Sequence, residues 1–366
     1  MSALRSMLAS AWLEGARQLA LLRLGRRPPP RDLSRLAIVG ALGRHNGIAT
    51  GALLQHAALV RAGGAVQLLD ATAALRNPFA RAPHVPASAY VFHCGGPQTA
   101  SLVHAVLPGV ADAWRIGYWA WELPDPPADW RRFGGLVSEI WTPSRFAAES
   151  LGKLFSVPIH VVPHKVEAQP ARRRDAGQPF TVLVMADSRS SFTRKNPAAA
   201  IEAFRQAFGE GGAARLVVKL NGGGAAVEGL TAALRGLPGA RVITDFLDDA
   251  GLAALYRSAD VLLSLHRAEG FGLPMLEAMA HGVPVIGTGW SGNTDFMTEA
   301  NSLLVPYRLV PVEDAAGIYA GSVWAEPDIG AAAAMLRRLA DDAALYARLS
   351  AAAHAAVAAS RFVLPG

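Results

Sequence analysis

Two glutamates separated by seven residues, Glu269 and Glu277, bracket the segment Gly270-Phe271-Gly272-Leu273-Pro274. Glycines at 270 and 272 let a backbone approach a ligand closely, and Pro274 suits the first turn of a helix. The free amides and dipole of such a helix start favour a phosphate. Two carboxylates beside an anion are electrostatically awkward, unless they accept hydrogen bonds from neutral sugar hydroxyls. The glycines alone would also fit an ordinary strand–loop–helix with a capping glutamate. The Glu-x7-Glu spacing across the turn is the more specific signal.

A second segment, Asp187-Ser188-Arg189-Ser190-Ser191-Phe192-Thr193-Arg194-Lys195-Asn196-Pro197, joins hydroxyls to an Arg-Lys pair ahead of a helical pattern. That combination makes a diphosphate cradle with charge-assisted contacts; by itself it also fits a solvated basic turn. Lys219 ends the apolar run Leu216-Val217-Val218, where a strand-end lysine can reach solvent. His266 precedes Glu269 and is either a ligand-facing group or a satisfied strand-end histidine. In the first half, Gly47 lies in a small-residue loop, and His93 ends an apolar run as either a polar contact or a core residue. Trp119 and Trp121 alternate as strand residues do and lead into Glu122.

These residues need elements to hold them. Short apolar runs at 36–40, 65–70, 89–93, 115–119, 139–142 and 159–162 alternate with helical patterns and read as buried parallel strands. The stretch 164–178, with Pro170, Arg172-Arg173-Arg174 and Gly177, reads as a linker. Alternation then restarts with strands at 180–185, 215–220, 241–244, 261–265 and 283–287, and alanine-rich 331–359 is helical. The expected organisation is a basic segment over 1–35, a Rossmann-like α/β domain over 36–163, a linker over 164–178, a second α/β domain over 179–345, and a C-terminal helix and tail over 346–366. Ligands of open parallel sheets bind at the carboxyl ends of strands, and the segments above follow strands.

Composition narrows the classes. The chain has 366 residues, 51% hydrophobic and 17% charged, which excludes a disordered protein. One cysteine, Cys94, excludes an internal disulfide framework and multi-cysteine metal sites. The apolar runs fall short of the roughly 20 residues that span a bilayer. The net charge is +6, and residues 1–35 carry seven arginines against Glu14 and Asp32, so the remainder is close to neutral. A broad nucleic-acid-binding surface is therefore not expected. The basic apolar stretch 3–24 is either a helix for an anionic membrane surface or a terminal helix packed on the domain.

The Glu269–Glu277 motif and the Asp-x-x-Ser-x-x-x-Arg-Lys-Asn-Pro segment resemble glycosyltransferase family 4, retaining enzymes with the GT-B fold of two facing Rossmann-like domains and an interdomain cleft. The resemblance spans about residues 36–350 and is densest in the second domain. It implies a hexose-type sugar moved from a nucleotide-diphosphate sugar to a glycan or lipid-linked saccharide in polysaccharide or glycoconjugate synthesis. By it, Ser190, Arg194, Lys195, Lys219, Gly47, Gly270, Phe271, Gly272, Leu273 and Glu277 bind the donor. Glu269, Lys195, Glu122 and His93 serve the reaction. Glu269 holds sugar hydroxyls and Glu277 the ribose. Many members carry a histidine after the fourth strand, where this chain has Trp121-Glu122. The sequence contains no Asp-x-Asp, so no metal cofactor is expected, and Arg194, Lys195 and helix amides replace it. The expected location is cytoplasmic, peripheral on the inner membrane's cytoplasmic face if the basic segment binds lipid. A non-catalytic nucleotide-sugar-binding scaffold and a nucleotide-sugar epimerase are the alternatives.

Overall fold

The computed structural model describes every residue except 1, 25–28, 44–45, 78, 176, 189–190, 210–213 and 315–316, with side chains of the first helix described from Ser10 onward. The chain divides into two units, Met1–Lys165 with Arg361–Gly366, and Val166–Ser360.

The first unit runs α1 (Ser2–Arg23), β1 (Arg35–Gly40), α2 (Gly47–Arg61), β2 (Ala65–Asp70), β3 (Ala89–His93), α3 (Thr99–Ala105), β4 (Trp114–Tyr118), β5 (Glu139–Thr142), α4 (Arg145–Gly152) and β6 (Ile159–Val161). Its sheet has six parallel strands in the order β2-β1-β3-β4-β5-β6. Five of the six residues of β1 and all of β3 are buried, as strands covered on both faces must be. Side-chain caps start the helices. Asn46 accepts from the Ala49 amide at 3.0 Å ahead of α2, and Ser144 from Ala147 at 3.1 Å ahead of α4.

The second unit runs β7 (Phe180–Asp187), α5 (Phe192–Lys195), α6 (Pro197–Phe208), β8 (Ala214–Asn221), α7 (Ala225–Ala233), β9 (Arg241–Ile243), α8 (Asp249–Ser258), β10 (Val261–Ser264), α9 (Leu273–Ala280), β11 (Val285–Thr288), β12 (Leu303–Val305), β13 (Tyr307–Pro311), β14 (Val323–Pro327), α10 (Ile329–Asp341) and α11 (Ala343–Ala359). Its six parallel strands lie in the order β12-β11-β10-β7-β8-β9. Apolar clusters cover both faces, one around Phe204, Leu263 and Leu336 and the other around Leu262, Met275 and Met279. In each unit the first strand has its sequence neighbour on one side and a later strand on the other. This puts a switch point between β1 and β3, and another between β7 and β10, where ligands of such sheets bind.

Several expectations need correction. Residues 1–35 are not a separate segment. In α1, Ala16 and Ala20 are fully buried, and Trp12 meets His104 edge-on at 5.4 Å. Arg31 bonds the buried Glu139 at 2.8 Å and the Pro365 carbonyl at 3.1 Å. The stretch 164–178 is no free linker beyond Lys165. The Gln169 and Arg172 amides bond the carbonyls of Ala280 and His281, and Arg172 forms an ion pair with the buried Asp260. The tail over 346–366 is divided: α11 packs on α9, whereas Phe362 and Leu364 pack on the first unit's core. The single helix expected over 331–359 is two, because Asp342 has extended backbone and caps α11. The antiparallel hairpin β13–β14 was not expected at all.

Candidate functional site

The switch point of the second sheet gathers the strongest motif residues. After β7, Ser191 caps the single turn of α5, accepting from the Arg194 amide at 3.3 Å. Asn196 then takes a left-handed conformation, φ 50°, and Pro197 opens α6. This bend leaves Arg194 and Lys195 at the end of one turn, directed at the loop that follows β10. There the Nη1 of Arg194 donates to the Ala268 carbonyl at 2.6 Å and lies 3.3 Å from Oε2 of Glu269. Lys195 Nζ bonds the other carboxylate oxygen, Oε1. Glu269 is only 7% exposed. Burial alone would raise its pKa, but Lys195 and Arg194 outweigh that and hold it at about 2. The three groups form a cluster of two cations sharing one buried carboxylate, with a net charge of +1.

The loops around Glu269 are tightly stacked. Its amide donates to the Ser291 hydroxyl at 2.8 Å, and its carbonyl accepts from Gly292 at 2.9 Å. A Cβ at 292 would stand 2.3 Å from the Gly270 carbonyl oxygen, so the two loops touch only because 292 is glycine. At 272 the backbone has φ +98° and a Cβ would meet Met275 at 2.4 Å, which again requires glycine. Phe271 is buried against Phe296, and Leu273 packs on the core. The side chains of this pair therefore support the loop, and any ligand would meet its backbone.

The remaining expected residues have partners of their own. Glu277, on α9, accepts from the Tyr256 hydroxyl at 2.6 Å. Burial pushes its pKa up to about 7, against the Tyr256 bond and with Asp249 adding to the rise. Lys219 does not reach solvent: it is 3% exposed and donates to Asn221 Oδ1 at 2.6 Å. His266 is fully buried, bonded to Ser264 at 3.0 Å and Asn293 at 3.0 Å, and burial lowers its pKa. It is a satisfied neutral histidine. Ser190, expected in the cradle, lies outside the described residues.

The first sheet's switch point is built differently. Gly47 is not in a loop but opens α2, and a Cβ there would meet nothing within 4 Å. His93 is 1% exposed, bonds Gln55 through Nε2 at 2.5 Å, and stacks on Tyr118 at 4.1 Å. Burial, with His164 nearby, holds its pKa well below the usual histidine value. The Tyr118 hydroxyl donates to the Val162 carbonyl at 2.7 Å and lies 3.3 Å from His164 Nδ1. Trp119 and Trp121 are core residues, and Glu122 after them is half-buried. Among the described residues, no three of His, Cys, Asp and Glu gather as a metal site would require, and no helix is long and apolar enough to cross a membrane.

Sequence reasoning missed Arg267. Its guanidinium forms a two-point ion pair with Glu326 of β14, at 2.7 and 3.2 Å, lies over Trp324 at 5.3 Å, and donates to the Thr193 carbonyl at 3.0 Å. Its amide bonds the Arg194 carbonyl at 2.7 Å. Arg267 thus joins the hairpin to the turn carrying Arg194 and Lys195. Its position two residues before Glu269 was the only available signal. Tyr256, 21 residues before Glu277, had none.

Residues 181–321 match the family model described as glycosyl transferases group 1. Among solved structures, Anabaena HepE in complex with UDP and glucose matches with a TM-score of 0.61 at 14% identity, over 90% of this chain and 95% of its own. TarM of S. aureus, solved with UDP and alpha-GlcNAc-glycerol, matches with a TM-score of 0.56 at 13% identity, over 74% of this chain and 51% of its own. The pneumococcal O-GlcNAc transferase GtfA, solved with UDP and GlcNAc, matches with a TM-score of 0.52 at 14% identity, over 74% and 53%. The chain therefore spans about half the length of TarM and GtfA. No curated protein matches it in sequence. The paired Rossmann-like parallel sheets are those of the GT-B glycosyltransferase fold.

Proposed function

We propose that this chain, whose second domain matches the glycosyl transferases group 1 family, transfers a hexose-type sugar from a nucleoside-diphosphate sugar to a glycan or lipid-linked saccharide, with retention of configuration and without a metal. The observation that carries this reading is the Arg194–Lys195–Glu269 cluster, two of its members buried, at the carboxyl ends of β7 and β10. When the donor's glycosidic C–O bond breaks, negative charge develops on the departing diphosphate. Fixed cations beside it stabilise that charge more in the transition state than in the ground state. Lys195 and Arg194 fill this role, and the tight pairing with Glu269 keeps them ordered before donor arrives. Glu269 then accepts hydrogen bonds from the transferred sugar, and Glu277 from the ribose. The acceptor hydroxyl attacks from the face the diphosphate leaves. Its proton passes to the departing phosphate oxygen, so no protein base or covalent intermediate is needed.

UDP is the first nucleotide to test, because HepE and TarM are solved with it. A lipid-linked acceptor goes with a peripheral location at an anionic membrane surface, which the exposed Leu19, Leu22 and Arg23 of α1 would contact. The decisive assay pairs a thermal-shift panel of nucleotide sugars with transfer in EDTA. A donor at 100 times its Kd stabilises the protein by about 2.7 kcal/mol. Activity is expected to persist in chelator. Loss of nearly all activity in EDTA, with recovery on adding magnesium or manganese, would refute the metal-free mechanism.

A further inference from the structure

Tyr256 sits at a point the proposed reaction does not yet use. It lies on α8, only 1% exposed, and its hydroxyl donates to Oε2 of Glu277 at 2.6 Å. Its ring stacks on His281, just past the end of α9, with centroids 5.5 Å apart and planes at 22°. The phenol is thus pinned between the helix that carries it and the helix that carries Glu277. No other hydrogen bond to the Glu277 carboxylate is found among the described residues, which leaves Oε1 without a partner there. A carboxylate with one oxygen held this way has a single orientation, and its second oxygen can accept from a ligand hydroxyl.

We propose that Tyr256 is a positioning residue for nucleotide binding, holding Oε2 of Glu277 so that Oε1 is presented to the ribose hydroxyls. The inference rests on the proposed ribose role of Glu277 and adds a residue to it. The charge state follows the same geometry. Burial disfavours the Glu277 carboxylate, Asp249 on α8 repels it, and the Tyr256 hydrogen bond favours it, with the balance at about pH 7. The His281 amide bonds the Glu277 backbone carbonyl at 3.3 Å and its ring stacks on Tyr256, while Arg257 and His354 act on the His281 ring. Removing the phenol hydroxyl takes away the stabilising member of this set. The Glu277 pKa must then rise, and the protonated acid is a poorer acceptor for a ribose hydroxyl.

The test is calorimetry between pH 6 and 9 on wild type, Tyr256→Phe and Glu277→Gln, with whichever of UDP, GDP and ADP binds tightest. Glu277→Gln supplies the background, including titration of the ligand's own phosphate. Wild type is expected to lose affinity as pH falls through about 7, beyond that background. In Tyr256→Phe the loss should set in at higher pH, and part of the deficit should persist at pH 9, where Glu277 is ionised but no longer held in one orientation. Asp249→Asn, at an exposed position, should move the midpoint the other way. If Glu277→Gln binds as tightly as wild type at every pH, the ribose assignment itself fails. If Glu277→Gln loses affinity but Tyr256→Phe matches wild type, or weakens equally at all pH, the positioning role alone is overturned.

Discussion

At the switch point of the second sheet, the buried Arg194 and Glu269 are joined by the partly buried Lys195. At the corresponding point of the first sheet lie His93, Gln55 and Tyr118, with His164 beside them. Burial holds both histidines below their usual range, His164 at about 4, and keeps the Tyr118 phenol well above its own. None of the four carries charge at neutral pH. The same topology therefore supports opposite electrostatics. A charged ligand group needs fixed counter-charges, and those are costly to bury unless paired, as Arg194 and Lys195 are with Glu269 in a set that keeps a net +1. A neutral ligand, such as an acceptor's hydroxyls, makes no such demand, and aromatic stacking can fill the space. This contrast supports the proposal of a diphosphate for the second unit and an uncharged partner for the first.

The largest effect should come from breaking the charged side. Lys195→Ala removes one of two cations from the diphosphate, and roughly a 100-fold fall in kcat/KM is expected, by analogy with the loss of one oxyanion donor. Nucleoside-diphosphate affinity should fall by about 1.5–3 kcal/mol, the usual worth of a charge-assisted hydrogen bond. Steady-state kinetics with varied donor and calorimetry report both quantities. Wild-type efficiency in this variant would remove the diphosphate assignment. His93→Gln, on the neutral side, should leave nucleoside-diphosphate affinity unchanged.

A second comparison lies within the charged unit. Glu277→Ala should raise donor KM more than it lowers kcat, because the ribose contact exists before and during transfer. Glu269→Ala should lower kcat more, because the transferred sugar changes charge and shape in the transition state. It also frees Arg194 and Lys195 from their carboxylate, so nucleoside-diphosphate affinity should hold or rise. Equal losses of that affinity in the two variants would show that the roles are wrongly divided.

A smaller effect separates the units by pH. His93 and His164 have depressed pKa values in the folded state, so their contribution is intact above the unfolded value near 6.5 and falls as pH drops below it. Glu277, raised to about 7, acts oppositely: its contribution is complete below the unfolded value near 4.5 and is lost as pH rises through 7. Glu269, held at about 2, changes nothing until pH falls below about 4.5. Between pH 7 and 5 the first unit should therefore lose stability and the second lose less, because Glu277 there offsets His266 and His281, whose pKa values burial also lowers. Hydrogen exchange read separately over residues 36–165 and 180–357 measures this. An equal loss in both units would contradict the assigned charge states.

The smallest effect concerns α1. Of its basic residues with described side chains, Arg17 is tied to Glu14 and Arg23 is exposed. Reversible binding to anionic liposomes is expected, at about 1 kcal/mol per basic residue near the surface, and weaker in high salt. Arg23→Glu is the variant of choice, because deleting residues 2–34 would also strip Arg31 from the buried Glu139. Wild-type protein that stays in the supernatant at low salt would end the tether proposal.

What the sequence determined by itself was local. Alternation of short apolar runs with helical stretches specified two parallel sheets, because a strand buried on both faces needs an unbroken apolar run and a helix to return the chain. The glycines at 270 and 272 and Pro274 were legible for the same reason, each acting within a few residues of itself. The tertiary structure decided what depends on strand order. The order β10-β7 brings Lys195 to Glu269 across 74 residues. The hairpin sets Glu326 on Arg267 across 59 residues, and the tail returns Pro365 to Arg31. Whether a histidine is charged was also decided there, since burial depends on everything packed around the ring. His93 and His266 read identically in the sequence as strand-end histidines. One stacks on a tyrosine and the other bonds an asparagine 27 residues away, and no spacing along the chain encodes that difference.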